Sequence, residues 1–135
     1  MKSTWAGSCQ ILTVMTLASA AAWADCKNPS TQSDMNECAG AEYRAADAEL
    51  NKVYKQLMAT GDEPFRKRLQ AAQRAWLAFR DAHLAATYPP EEGTSRGYGS
   101  ARPMCTPLLL KDLTVERTRQ LKAYLERIEG DVCSP

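Results

Sequence analysis

Three sets of residues have types and spacings that could do chemistry. The first is a group of polar side chains on or beside apolar helical stripes: Asp47, Asn51 and Tyr54 in one stretch, Gln73 and Arg80 flanking Trp76 in a second, and Thr114 and Arg117 in a third. If the three stretches fold back on one another, Asp47, Trp76, Arg80 and Arg117 fall at one height. The expected chemistry is structural, a network of ion pairs and hydrogen bonds between helices, because unpaired charges are costly to bury. Asp47 is the one acid worth weighing as a catalyst. The second set is the cysteines: Cys26, Cys38, Cys105 and Cys133, with Cys9 in the N-terminal segment. The third is His83, the single histidine, which ends an apolar stripe.

None of these sets carries an enzyme signature. His83 has no serine, thiolate or metal partner placed beside it for a nucleophile triad. There is no H-E-x-x-H motif, and the glycines at 93, 97 and 99 follow a helical stretch rather than a strand, so a phosphate loop has little support. No C-x-x-C pair exists to hold zinc. The reading is a protein without enzymatic activity, cofactor or metal.

The elements that must position these residues are helical. In the first, Thr31 to Asp34 reads as an N-cap with an acid in the opening turn. A stripe of Met35, Ala39, Tyr43, Ala46, Leu50, Val53 and Leu57 follows in steps of four and three. Gly61 ends this helix and Pro64 starts the next. The second stripe is Phe65, Leu69, Ala72, Trp76, Phe79 and His83, with Trp76 and Phe79 as the expected core seam. Residues 88–106 form a long Gly/Pro-rich loop, of a length that is usually functional or mobile. Thr106-Pro107 is the expected start of the third helix, whose stripe runs Leu110, Thr114, Arg117, Leu121, Tyr124 and Ile128 and stops at Gly130. The expected fold is all-α: a small antiparallel three-helix bundle, stabilised by disulfides.

Residues 1–24 read as a secretory signal: Lys2, an uncharged apolar run from Ile11 to Ala22, and the A-x-A site Ala22-Trp23-Ala24. Cleavage is expected between Ala24 and Asp25, leaving residues 25–135 as one domain in the periplasm or secreted. Asp25 before Cys26 spoils a lipobox, so neither a lipid anchor nor a membrane span is expected. Only Lys2 among the charged residues lies in the signal, so the remainder is electrically neutral. That balance argues against a nucleic-acid binder. Charge is nevertheless segregated, with residues 25–50 acidic and residues 64–80 basic.

An oxidising compartment makes disulfides the default for the four remaining cysteines. Cys26 and Cys38 are close enough to staple the lead-in to the first helix. Cys105 and Cys133 flank a third helix of about 34 Å, too far for one intrachain bridge. Either the C-terminal part is arranged differently, or Cys133 is free or pairs between chains, which leaves a homodimer open.

The ordered set of motifs resembles the LprI-like lysozyme-inhibitor domain. Its parts are Asp25-Cys26, Cys38, Asp47-x-x-Leu50-Asn51-x-x-Tyr54, Leu69-x-x-x-Gln73-x-x-Trp76-x-x-x-Arg80-Asp81, Cys105, and Leu113-Thr114-x-x-Arg117-Thr118-x-x-Leu121. The resemblance implies a small helical cell-envelope protein that binds and inhibits lysozyme. One departure is Leu84, where the family usually has a cysteine; if that cysteine pairs with the one before the last helix, Cys105 has lost its partner here. The expected partner is therefore lysozyme or another envelope protein, contacted through Tyr88, Glu91, Glu92 and Tyr98 of the long loop. The alternative is an envelope interaction or stress-related protein without lysozyme activity.

Overall fold

The computed structural model describes residues 26–89, 98–127, 129–133 and 135. Three α-helices and one short 3-10 turn make up its regular structure, with no strand among the described residues. The helices are α1 (Gln32–Thr60), α2 (Glu63–Thr87) and α3 (Arg102–Ala123), and the 3-10 turn Gly99–Ala101 leads into α3. No described helix is long and apolar enough to cross a membrane.

α1 begins where the sequence places it, because Thr31 and Asp34 form a reciprocal capping box. The Asp34 amide donates to Thr31 Oγ1 at 3.0 Å, and the Thr31 amide donates back to Asp34 Oδ2 at 3.0 Å. The Thr31 hydrogen bond, joined by donors from Ser30, holds the Asp34 carboxyl below its ordinary pKa. The disulfide Cys26–Cys38 ties the lead-in to the second turn of α1.

The corner between α1 and α2 is tight for a steric reason. The Gly61 amide donates to Leu57 O at 2.9 Å, and a Cβ at position 61 would collide with the Phe65 ring. Asp62 then caps α2, accepting from the Phe65 amide at 2.8 Å, and Pro64 fills a first-turn position that needs no donor.

The core is built mainly between α1 and α3. Leu50, Val53 and Leu57 of α1 surround Leu121 of α3, which is 0 % exposed. Two ion pairs join α1 to α3 in the same chain direction, Glu42 with Lys111 at 3.2 Å and Glu49 with Lys122 at 2.8 Å. Contacts of α2 run the other way along α3. Phe65 at its start meets the Tyr124 ring edge-on at 5.5 Å, and Tyr88 at its end accepts from Arg102 at 3.2 Å.

Three sequence expectations are corrected. Phe79 is not part of the core seam; it is 54 % exposed and stacks on His83 at 5.6 Å. The side of α2 with the less exposed residues runs Phe65, Leu69, Gln73, Trp76, Arg80 and Leu84, and only Leu69 is fully buried. Gln73 and Arg80 can face inward because the first finds a polar partner on α3 and the second lies over the Trp76 ring. α3 begins at Arg102 rather than at the Thr106-Pro107 pair, so Pro107 and Cys105 both lie inside it. Pro103 occupies its first turn, and Pro107 is close enough to the N-terminus to forfeit one early hydrogen bond without breaking the helix. At the other end the Tyr124 amide bonds to Leu121 O at 3.2 Å, a tightened turn that ends the helix before Gly130. Ile128 lies outside the described residues.

The disulfide closes a loop of sequence separation 12. Its removal in a Cys26→Ser, Cys38→Ser double variant is expected to lower unfolding free energy by about 3 kcal/mol. Urea titration of both proteins checks this, and superimposable curves would contradict it.

Candidate functional site

The junction of α2 and α3 gathers both described residues expected to meet a partner, Tyr88 and Tyr98. α2 stops at Tyr88 because Pro89 follows and disfavours helical backbone before it. The Tyr88 amide still closes the last turn on Leu84 O at 2.8 Å. Tyr98, just before the 3-10 turn, packs edge-on against Tyr88 with ring centres 4.9 Å apart. Its hydroxyl donates to Thr87 O at 2.9 Å, and Arg102 Nη2 donates to Tyr88 O at 3.2 Å. These contacts close the entrance to α3 onto the exit of α2.

Cys105, in the first turn of α3, lies against the Tyr88 phenol. Desolvation raises the Tyr88 pKa first, and the neighbouring Cys105 and Tyr98 add to it. Beside this cluster a pocket of about 240 Å³ is lined by Asp81, Leu84, Ala85, Tyr88, Arg102 and Thr106. Cys105 and Cys133 are both free thiols. Glu91 and Glu92 lie outside the described residues.

The polar residues expected to share one layer meet as separate pairs. Arg117 Nε donates to Gln73 Oε1 at 3.1 Å, which links α3 to α2, and its Nη1 donates to Gln120 Oε1 at 3.1 Å. Burial lowers the Arg117 pKa, and its hydrogen-bond acceptors are amide oxygens rather than carboxylates. Arg80 lies 5.4 Å from the Trp76 ring centre and bonds to Asp81 Oδ1 through Nε and Nη2, at 2.9 and 2.8 Å. Asp47 accepts from Asn51 Nδ2 at 2.8 Å. No hydrogen bond or ion pair joins Asp47 to Arg80 or Arg117. Asp47 and Arg80 each find a partner on their own helix, and Arg117 donates to Gln73 and Gln120 instead. Tyr54 packs half-buried against the core.

Thr114 is fully buried, and its hydroxyl has no hydrogen-bond partner. Thr118 solves the same problem one turn later by donating to Thr114 O at 2.8 Å. Arg102 was not singled out by sequence, since Arg-Pro in a Gly/Pro-rich stretch reads as loop. The Glu42–Lys111 and Glu49–Lys122 pairs were missed too, because their signal appears only when the α1–α3 register is known.

The residues at this junction pack, hydrogen-bond and shield one another from water. Nothing in their geometry assembles a nucleophile with a base, and no metal-holding group of three or more His, Cys, Asp or Glu side chains occurs among the described residues. What the junction can offer chemically is recognition, through two aromatic rings, a guanidinium and nearby backbone.

Comparison with known proteins places this arrangement among relatives. A family model described as "Lysozyme inhibitor LprI" matches residues 23–121. An uncharacterised protein of Rhizobium meliloti (strain 1021) is 36 % identical, with 78 % of this chain and 82 % of the relative covered. No solved structure matches.

Two measurements test the polar seam. A double-mutant cycle of Gln73→Ala and Arg117→Met is expected to give a coupling of about 1 kcal/mol in chemical denaturation. Additive effects would show that the bond across α2 and α3 contributes nothing. Thr114→Val removes an orphaned hydroxyl at nearly constant shape and is expected to raise stability by about 1 kcal/mol. A fall in the denaturation midpoint would mean that the hydroxyl has a partner.

Proposed function

The chain belongs to the LprI lysozyme-inhibitor family, and on that premise we propose that it is an exported protein that binds lysozyme and occludes its cleft. The observation that carries this reading is the family match across residues 23–121, which takes in α1, α2 and all but the last two residues of α3. Export follows the signal-like segment 1–24, with cleavage before Asp25 and residence in the periplasm or outside the cell. The helices are read as an antiparallel three-helix bundle, supported by the α1–α3 ion pairs in the same chain direction and the reversed α2–α3 contacts.

The proposed contact surface is the α2–α3 junction with the loop that joins it, including Tyr88, Glu91, Glu92 and Tyr98. Inhibition needs no chemistry from the inhibitor. A lysozyme cleaves its glycan between two carboxyl groups that flank the bond. A rigid projection seated between those groups excludes the sugar. Tyrosines suit that task because they bring large contact area with few rotatable bonds. The Tyr88–Tyr98 contact and the Tyr98 bond to Thr87 O fix both rings before binding, which lowers the ordering cost. Lysozymes are commonly basic, so Glu91, Glu92 and the acidic stretch 25–50 would raise the encounter rate more than the final affinity.

The test is lysis of a peptidoglycan suspension by lysozyme with increasing amounts of purified residues 25–135. Inhibition is expected, weakened roughly tenfold or more by Tyr88→Ala with Tyr98→Ala. Val115→Glu, on an exposed face of α3, should leave it intact. Lysis unaffected at micromolar excess would reject the reading.

A further inference from the structure

The outward face of α2 carries an unused helix-pairing seam. Ala72, Ala75, Phe79, Ala82 and Ala86 follow one another in steps of three and four, the a/d pattern of a coiled coil. Every one of them is exposed. The positions that flank this seam on one side are Ala71, Ala78 and Ala85, and those on the other are Leu69, Trp76 and His83. No charged residue borders it over these turns, whereas an ordinary solvated helix face would carry several.

Two further observations set this face apart from a simple run of alanines. Phe79 stands at its centre with 54 % of its surface in water. In addition, α2 is 25 residues long yet fully buries only Leu69 within its own chain. Helices of globular proteins owe most of their stability to a packed face, and α2 has little packing on the inward side.

We propose that this face pairs with the same face of a second copy, α2 against α2 in antiparallel orientation. The register follows from the sequence. With the two-fold axis beside Leu77, Ala72 meets Ala82 of the second copy, and Phe79 meets Ala75, on both sides of the axis. The bulky ring of each copy thus fills the space left by a small residue of the other, which is the self-complementarity an isologous contact needs. Arg68 meets Ala86, so the seam extends over about 27 Å.

Charge selects the orientation. Arg66, Lys67, Arg68 and Arg74 all lie in the first half of α2. A parallel pair would set these cations beside their own copies. The antiparallel pair sets them beside residues 80–88 of the second copy, where Arg80 and Asp81 balance. Sliding one copy by a heptad, which moves the axis to between Gln73 and Arg74, would bring the two basic halves together and place Arg68 against Phe79. Tyr124, which is 41 % exposed, borders the seam near Arg68 and Ala72 and extends the contact at each end. A single helix pair buries less than a standard interface, so the dimer is a reversible one.

Sedimentation equilibrium of residues 25–135 from about 1 to 300 µM tests the proposal in a range where weak dimers dissociate. A monomer–dimer equilibrium is expected. Phe79→Glu and Ala75→Glu should each raise the dissociation constant by roughly a hundredfold, because each buries two unpaired carboxylates per dimer. Both positions are exposed, so far-UV circular dichroism of the variants should match that of the parent. Val115→Glu, equally exposed on α3, should dimerise as the parent does. A monomer at every concentration would overturn the proposal. So would a dimer that survives Phe79→Glu and Ala75→Glu unchanged.

Discussion

The packing of α1 on α3 is the contact on which the remaining structure depends. Leu121 is wholly enclosed, and its walls are Leu50, Val53 and Leu57, more than sixty positions earlier in the chain. Two interhelical ion pairs, Glu42 with Lys111 and Glu49 with Lys122, lie on the stretch of α1 that leads into this contact. They are half-exposed, so their direct contribution to stability is small. In the second pair Glu49 is held below its ordinary pKa by Lys122, and Lys122 is raised by Glu49. Apolar burial holds the two helices together, and the ion pairs are formed in the alignment that burial sets.

α2 is attached to that pair rather than embedded in it. Its connections are Leu69 in the core, the Phe65–Tyr124 ring contact, the Gln73–Arg117 bond and the Tyr88–Tyr98–Arg102 cluster. Most of these are polar or aromatic contacts at a partly exposed boundary. A helix held in this way leaves one side and one end accessible. The accessible end is the tyrosine cluster, and the accessible side is the seam centred on Phe79. In the proposed function stability comes from α1 and α3, and recognition from α2 and its exit.

Local chemistry made much of this legible in the sequence. A Thr and an Asp three residues apart can cap a helix on their own, so α1 starts where Thr31 and Asp34 predict. Gly61 and Pro64 act within one turn, and Cys26 and Cys38 are too near in sequence to need the rest of the fold. The illegible features depend on distant partners. The apolar count along α2 places Phe79 in the core seam, and only the packing partners of Gln73 and Trp76 on the other helices show that Phe79 faces outward. Pro107 reads as a helix start when Pro103 is assigned to a loop; once the 3-10 turn and Tyr98 bring Arg102 to the end of α2, the helix begins a full turn earlier. The sequence offered Tyr88 and Tyr98 as candidate contacts. It did not give their geometry, because the ring contact and the Arg102 bond join residues ten or more positions apart.

The division between a stable α1–α3 pair and a recognising α2 exit is tested most directly by amide hydrogen exchange of residues 25–135 with and without lysozyme. The slowest amides in the free protein should lie around Leu50 to Leu57 and Thr114 to Leu121, and lysozyme should leave them unchanged. Addition of lysozyme should slow exchange over residues 84–88 and 98–106. Exchange that stays the same throughout, or protection confined to α1, would contradict the account.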